Sequence, residues 1–214
     1  MLDETHCPLC SATGSLSYHK DRHREYRQCP RCQLVFVPPA QYVSRAEERA
    51  EYDLHCNRLD DLGYRRFLSR LMLPLIERIP ERAEGLDFGC GSGPALADML
   101  RERGFGVALY DSFYWPELSV FGRRYDFISA TEVVEHLHQP GWELARLWSC
   151  LRDGGWLAVM TKLVRNPRAF AGWHYKNDRT HVCFFSRETW LWWAEQQGTV
   201  PEFVADDVVL LRRG

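Results

Sequence analysis

Apolar positions along the chain follow two rhythms, and the places where one gives way to the other mark its elements. Leu34-Val35-Phe36-Val37 is contiguous and is halted by Pro38-Pro39, which predicts a short strand. Residues 44–56 are charged with helical spacing, and 64–79 repeat Leu and Met at helical spacing until Pro80, so two helices are predicted there. From Gly85 onward short apolar runs alternate with helical ones. Strands are predicted at 85–88, 106–110, 125–130 and 156–160; helices at 94–101, stopped by Gly104, and at 141–151, closed by Asp153-Gly154-Gly155. Strands alternating with helices imply a parallel sheet covered on both faces. The C-terminal end departs from that order. A helix over 187–197, with Ser186 before it and Gly198 behind, leads to two apolar runs around Asp206-Asp207, and so short a connection requires antiparallel pairing. The fold class is α/β: a mostly parallel sheet ending in an antiparallel strand pair.

With 214 residues, 45% of them hydrophobic, the chain can bury one full core and carry a small appendage. Its net charge of −2 exerts no general pull on phosphate polymers, and Lys20, Lys162 and Lys176 are the only lysines among many arginines. The charge does not ask for a nucleic-acid partner, although it leaves one open. Met1-Leu2-Asp3-Glu4-Thr5-His6 lacks a basic stretch followed by an apolar one, and no apolar run reaches membrane-spanning length, so a cytoplasmic protein with no membrane partner is expected.

Four of the eight cysteines form two knuckles, Cys7-Pro8-Leu9-Cys10 and Cys29-Pro30-Arg31-Cys32. This spacing presents four thiolates to one zinc ion, and a site closed by four sulfurs is structural. A small zinc ribbon is therefore expected over 1–40, with His6, His19 and His23 nearby as surface residues. Cys56, Cys90, Cys150 and Cys183 are scattered and read as small core residues.

The strand at 85–88 runs into Asp87-Phe88-Gly89-Cys90-Gly91-Ser92-Gly93-Pro94. A dinucleotide fingerprint would need glycine at 94 or 96, where Pro94 and Leu96 stand. What is present is an acid followed by three alternating glycines, and Asp111 ends the next strand where a carboxylate could meet ribose hydroxyls. The stretch LDFGCGSG resembles motif I of the class I S-adenosylmethionine-dependent methyltransferases, YDFISATEVVEHL resembles their segment around the fourth strand, and GGWLAVM is also similar. The resemblance covers roughly 84–214, and the ribbon resembles one carried by some small-molecule methyltransferases of that superfamily. It implies a Rossmann-like catalytic domain over 83–214, joined to the ribbon by a helical linker or lid over 41–82, with S-adenosylmethionine as cofactor. Gly89, Gly91 and Gly93 would line its methionine part with Asp87 beneath, Asp111 would hold the ribose, and Cys90, Tyr110, Ser112, Thr131 and Glu132 would complete the site. One departure stands out. Only residues 112–125 separate Asp111 from Asp126, too few for the helix, strand and helix that most members place there. Ser112, Phe113, Tyr114 and Trp115 either form the adenine pocket or simply cover a shortened sheet edge.

Thr131 to His138 reads TEVVEHLH, where the resemblance puts the reactive methyl. A helix starting there would bring Glu132, Glu135 and His136 onto one face, and His174, Tyr175, Asp178 and His181 follow in a polar, aromatic connection suited to a substrate loop. Glu-x-x-Glu-His with a later histidine resembles the metal site of terminal small-RNA 2′-O-methyltransferases and of ubiquinone-pathway O-methyltransferases. That resemblance implies Glu132, Glu135, His136 and His181 as ligands of a second divalent ion. Alternatively Glu132 contacts the cofactor, Glu135 supports a helix start, and His136 or His181 is a metal-free base. Tyr52, His55, Asn57 and Tyr64 stand where a lid could meet substrate. His138 reads as a surface residue, and Trp190, Trp192 and Trp193 as packing. The expected function is methyl transfer to a small-molecule acceptor at a hydroxyl oxygen, with Glu132, Glu135, His136, His174 and His181 as the catalytic set. The competing readings are an RNA acceptor gripped by ribbon and arginines, and a scaffold that has lost catalysis.

Overall fold

The structure, a computed structural model, describes residues 6–54 and 59–214; His55, Cys56 and Asn57 lie outside the described residues. The N-terminal segment forms β1 (Leu16–Lys20), β2 (Glu25–Gln28) and β3 (Val35–Phe36). Next come α1 (Arg45–Tyr52), begun by a capping box between Ser44 and Glu47, and α2 (Leu62–Ile76), whose first amides are accepted by the Asp61 carboxylate. The remainder alternates as the sequence predicts: β4 (Glu84–Phe88), α3 (Ala95–Arg101), β5 (Gly106–Tyr110), β6 (Tyr125–Thr131), α4 (Pro140–Ser149) and β7 (Leu151–Met160). A short α5 (Pro167–Ala171), β8 (Cys183–Phe184) and α6 (Arg187–Gln196) lead to β9 (Glu202–Ala205) and β10 (Val208–Arg212).

The main sheet has the order β5-β4-β6-β7-β10-β9, parallel except where β10 pairs antiparallel with β7 and β9. Side chains on its central strands alternate between two cores, as the two-residue period of a strand dictates. Trp156, Ala158, Met160, Val208 and Leu210 face the cluster built on α2 and α3, whereas Leu157, Val159, Val209 and Leu211 face the one that holds α4, α6 and the N-terminal segment. That second core is continuous from Tyr26, Val35 and Phe36 to Ile128. The smaller sheet, β1-β2-β3-β8, takes its last strand from the far side of the chain, with Val35 opposite Phe184.

Two expectations need correction. No helix starts at residue 132: Glu132 adopts a left-handed backbone with φ +52°, a single 3-10 turn spans Val134–His136, and α4 waits until Pro140. Asp153-Gly154-Gly155, expected to close a helix, lies inside β7. There the pairing jumps from Tyr125↔Leu151 to Phe127↔Trp156, and Gly154 accommodates the bulge with φ +78°. At the sheet's edge, residues 112–124 supply only a bridge from Asp111 to Trp115 and a 3-10 turn at Leu118–Gly122, so among the described residues β5 has no outer neighbour.

Candidate active site

A cavity of about 660 Å³ opens at the carboxyl ends of β4, β5 and β6, the position at which open α/β sheets bind ligands. Its floor starts at the glycine loop. Gly89 and Gly91 take φ values of +72° and +66°. A Cβ on Gly89 would come within 2.4 Å of the Val133 side chain, while one on Gly91 would meet nothing within 4 Å. The amides of Gly89 and Cys90 both donate to the Tyr110 carbonyl, at 2.7 and 3.2 Å, locking the loop to β5. Asp111 accepts from Gly91 N at 3.1 Å through one oxygen and from Phe113 N and Tyr114 N at 2.8 and 3.1 Å through the other. A carboxylate has about four acceptor positions, so this anchoring still leaves room for a ribose hydroxyl.

Cys90, Tyr110, Ser112 and Thr131 line the cavity alongside Gly89, Gly91 and Asp111. Asp87 and Gly93 are not in its wall. Asp87 is buried beneath, accepting from Ser129 Oγ at 2.7 Å, and burial pushes its carboxyl up to about 7 against the opposing pull of that hydrogen bond. A cationic group above it would restore the charge. Phe113 and Tyr114 line the cavity and also hold α1: Arg45 lies 4.4 Å over the Phe113 ring, and Tyr114 Oη donates to Asp53 at 2.6 Å. Trp115 instead donates to the Gly91 carbonyl at 3.0 Å.

At the other end, the turn after β6 meets the 174–181 connection. Glu135 is fully buried; its carboxylate accepts from Thr161 Oγ1 at 3.0 Å and from the Tyr175 hydroxyl, which also lies 3.2 Å from Glu132 Oε2. Burial, reinforced by the Glu132 charge, raises the Glu135 carboxyl to about 8, and burial raises Glu132 as well. His181 donates from Nδ1 to the Tyr175 carbonyl at 2.7 Å, which leaves Nε2 with its lone pair, and burial lowers the imidazole to about 4. The His136 and His181 rings are 4.6 Å apart. Ligand atoms of Glu135, His136 and His181 lie within 4.8 Å of one another. Glu132 stands outside that group, joined to it through Tyr175. The set suits a divalent ion with mixed oxygen and nitrogen ligands.

His174 lies 3.0 Å from Lys162 Nζ at the wall. His138 is exposed, as expected, and from the surface it packs on Tyr42, reaches Glu48 at 3.2 Å and, with Glu48, lines the cavity. Thr161 and Lys162 were not singled out from the sequence; their signal was available, since they follow an apolar strand just as Thr131 and Glu132 do.

The four knuckle cysteines also converge, with Cys7 Sγ and Cys32 Sγ 3.5 Å apart, Cys10 Sγ and Cys29 Sγ 3.5 Å apart, and all four within 4.8 Å. Zinc–sulfur bonds of about 2.3 Å would give tetrahedral edges near ~3.8 Å. The two turns are copies of each other: Ser11 N donates to Cys7 O and Gln33 N to Cys29 O, and Ser11 and Gln33 share φ values of 58° and 61°. This donor set fits zinc.

No helix among the described residues is long and apolar enough to cross a membrane. No curated protein matches the chain. Among solved structures, it resembles the Burkholderia thailandensis 1,6-didemethyltoxoflavin-N1-methyltransferase, solved with 1,6-didemethyltoxoflavin and S-adenosylhomocysteine. There the TM-score is 0.53 and the identity 16%, over 92% of this chain and 99% of that one. Streptomyces venezuelae DesVI gives 0.52 and 15% over 80% and 99%, and an O-methyltransferase family protein of B. thailandensis 0.51 and 12% over 78% and 62%. These likenesses show the fold. A family model described as "Methyltransferase domain" matches residues 62–200, more than half of the chain. The chain belongs to that family and is a class I S-adenosylmethionine-dependent methyltransferase.

Proposed function

We propose that the enzyme methylates a hydroxyl oxygen of a small molecule, with Glu135, His136 and His181 at the receiving end of the cavity. The observation that carries this reading is the buried carboxylate between two imidazoles, across from the glycine loop. In this reading Gly89 and Gly91 admit the methionine part of the cofactor, Asp87 answers its ammonium from below, and Asp111 holds the ribose. The acceptor hydroxyl gives its proton to an imidazole as its oxygen takes the methyl group from sulfonium sulfur. His181 suits that role because its Nδ1 proton is fixed on Tyr175, which leaves Nε2 as the basic nitrogen, 3.6 Å from the Asp178 carboxylate. Asp178 would stabilise the imidazolium. In place of that base, a divalent ion on Glu135, His136 and His181 would occupy the same imidazole nitrogen and supply Lewis acidity that lowers the hydroxyl pKa. The knuckle cysteines would hold structural zinc.

A small acceptor is favoured over RNA because two of the four arginines of the N-terminal segment, Arg24 and Arg27, are spent on internal hydrogen bonds, which leaves only Arg22 and Arg31 exposed. Arg24 is buried on backbone carbonyls, Arg27 donates to Ser15 at 2.6 and 2.7 Å, and Arg31 lies over Trp192.

Calorimetric titration with S-adenosylhomocysteine is the first test. Micromolar binding that Asp111→Ala weakens by about two orders of magnitude is the expected outcome, since a charge-assisted bond to ribose contributes ~1.5–3 kcal/mol. A screen of phenols, alcohols and amines, with and without manganese, then reads S-adenosylhomocysteine release. Turnover confined to amine acceptors would refute the oxygen assignment.

A further inference from the structure

We infer that Arg24, in the N-terminal β-hairpin, is a positioning residue for methyl transfer: its guanidinium fixes the loop that brings Tyr175, Asp178 and His181 to the acceptor end of the cavity. The inference rests on the reading of that end as the acceptor's. Arg24 is only 8% exposed. Its Nη1 donates to the carbonyls of Arg179 and His181 at 3.0 and 2.9 Å, and its Nη2 donates to those of Asp178, at 2.8 Å, and Lys176. One side chain thus collects four carbonyls from a six-residue stretch.

The physical reason is that these carbonyls converge. Oxygens aimed at one point repel one another, and buried carbonyls without a donor are costly. A planar fork with paired N–H groups answers several at once, whereas a lysine is a compact point charge on a flexible stem. The described residues offer Arg24 no carboxylate partner, so its charge is spent on the loop. Around it the hairpin adds a second grip: Tyr26 Oη donates to the Lys176 carbonyl at 3.2 Å, and Lys176 Nζ donates to Asp21 at 2.9 Å. Asp21 also accepts from the amides of His23 and Arg24, at 2.8 and 2.9 Å, so the clamp and its anchor share one turn.

The loop so held is the one whose geometry the site depends on. The Tyr175 hydroxyl bridges Glu132 and Glu135, and the Tyr175 carbonyl sets the tautomer of His181. If the converging carbonyls relax, both of these contacts move. The glycine loop and Asp111 make no contact with Arg24, so cofactor binding should not respond. The N-terminal segment is thereby an internal brace for the reaction centre.

The test is hydrogen–deuterium exchange by mass spectrometry on the full chain, wild type against Arg24→Lys, Arg24→Met and Tyr26→Phe. Both Arg24 variants are expected to raise exchange of the 176–181 amides by about tenfold or more, with β4, β6 and β7 as protected as before. Affinity for S-adenosylhomocysteine should stay the same. With an acceptor from the screen, kcat should fall by up to ~100-fold, the cost of a misplacement near one ångström. Tyr26→Phe should show a smaller change in the same amides, and it decides the matter if the Arg24 variants do not fold. Wild-type protection in Arg24→Lys would overturn the inference, because charge alone would then suffice. Loss of protection throughout the chain would overturn it too, by making Arg24 a general stabiliser. Exchange and cofactor affinity need no acceptor, so an unsuccessful screen would count against the oxygen chemistry alone.

Discussion

The two turns that face each other across the cavity reach similar backbone shapes by opposite means. After β4, glycines occupy the left-handed positions, and at Gly89 the neighbouring Val133 leaves no space for anything larger. After β6, the left-handed residue is Glu132, which has a Cβ and a charge. The first turn adopts its shape at little cost, whereas the second is held in a strained one by its surroundings. Those surroundings are the carbonyl of Met160, which accepts from Glu132 N at 2.8 Å, and the Tyr175 hydroxyl. Non-glycine residues in this region gather where function over-determines them, and Glu132 stands where the methyl is expected to be delivered.

This contrast can be broken experimentally. The largest combined loss, of stability and of cofactor binding together, is expected from Gly89→Ala, which both clashes with Val133 and forces a side chain into φ +72°. It should cost about 3 kcal/mol in denaturant unfolding and abolish S-adenosylhomocysteine binding. A near-normal unfolding midpoint would mean that Val133 can step aside. Asp87→Asn should come next, and its effect should depend on pH. The folded pKa is raised, so the acid's contribution to stability is full below the unfolded value of 3.8 and is lost as pH rises through about 7. Without cofactor, Asp87→Asn should therefore be the more stable protein near pH ~8, by up to roughly 4 kcal/mol, and no more stable near pH ~3. Equal urea midpoints for both proteins at alkaline pH would show that Asp87 ionises freely. The smallest effect is again a gain: Glu132→Gly should raise stability by about 1 kcal/mol while reducing turnover. A less stable Glu132→Gly would show that the turn stores no strain.

Much of the fold could be read from sequence because its signals are local. The glycine loop, the Ser186 cap and the alternation of β7 and β10 each depend on residues within a few positions of one another, and the structure has each of them. The antiparallel end of the sheet also follows from the short connection between β9 and β10. The shape of the 131–136 turn did not, since it depends on Met160 and Tyr175, and a helix looked sufficient to align Glu132, Glu135 and His136. In the structure the alignment is tertiary, and Glu132 stands apart from the group that His181 joins. The bulge in β7 escaped for a related reason: Asp153-Gly154-Gly155 is a stop signal that cross-strand pairing with β6 overrides. Arg24 had nothing to distinguish it from its neighbours, because its partners are backbone carbonyls about 150 residues away.

The pairing of β3 with β8 has a consequence for how the polypeptide comes together as it is synthesised. Val35 and Phe36 emerge early, yet the strand that covers their open edge, Cys183-Phe184, emerges only after four of the main sheet's six strands. The cysteine knuckles can close around their turns at once, but the edge of β3 stays unsatisfied until late, and contacts of such long sequence separation form slowly. A nascent chain stalled before residue 183 would carry an apolar, unpaired edge of the kind that recruits other strands, so loss of the residues from 183 onward should produce aggregates and not a smaller soluble protein.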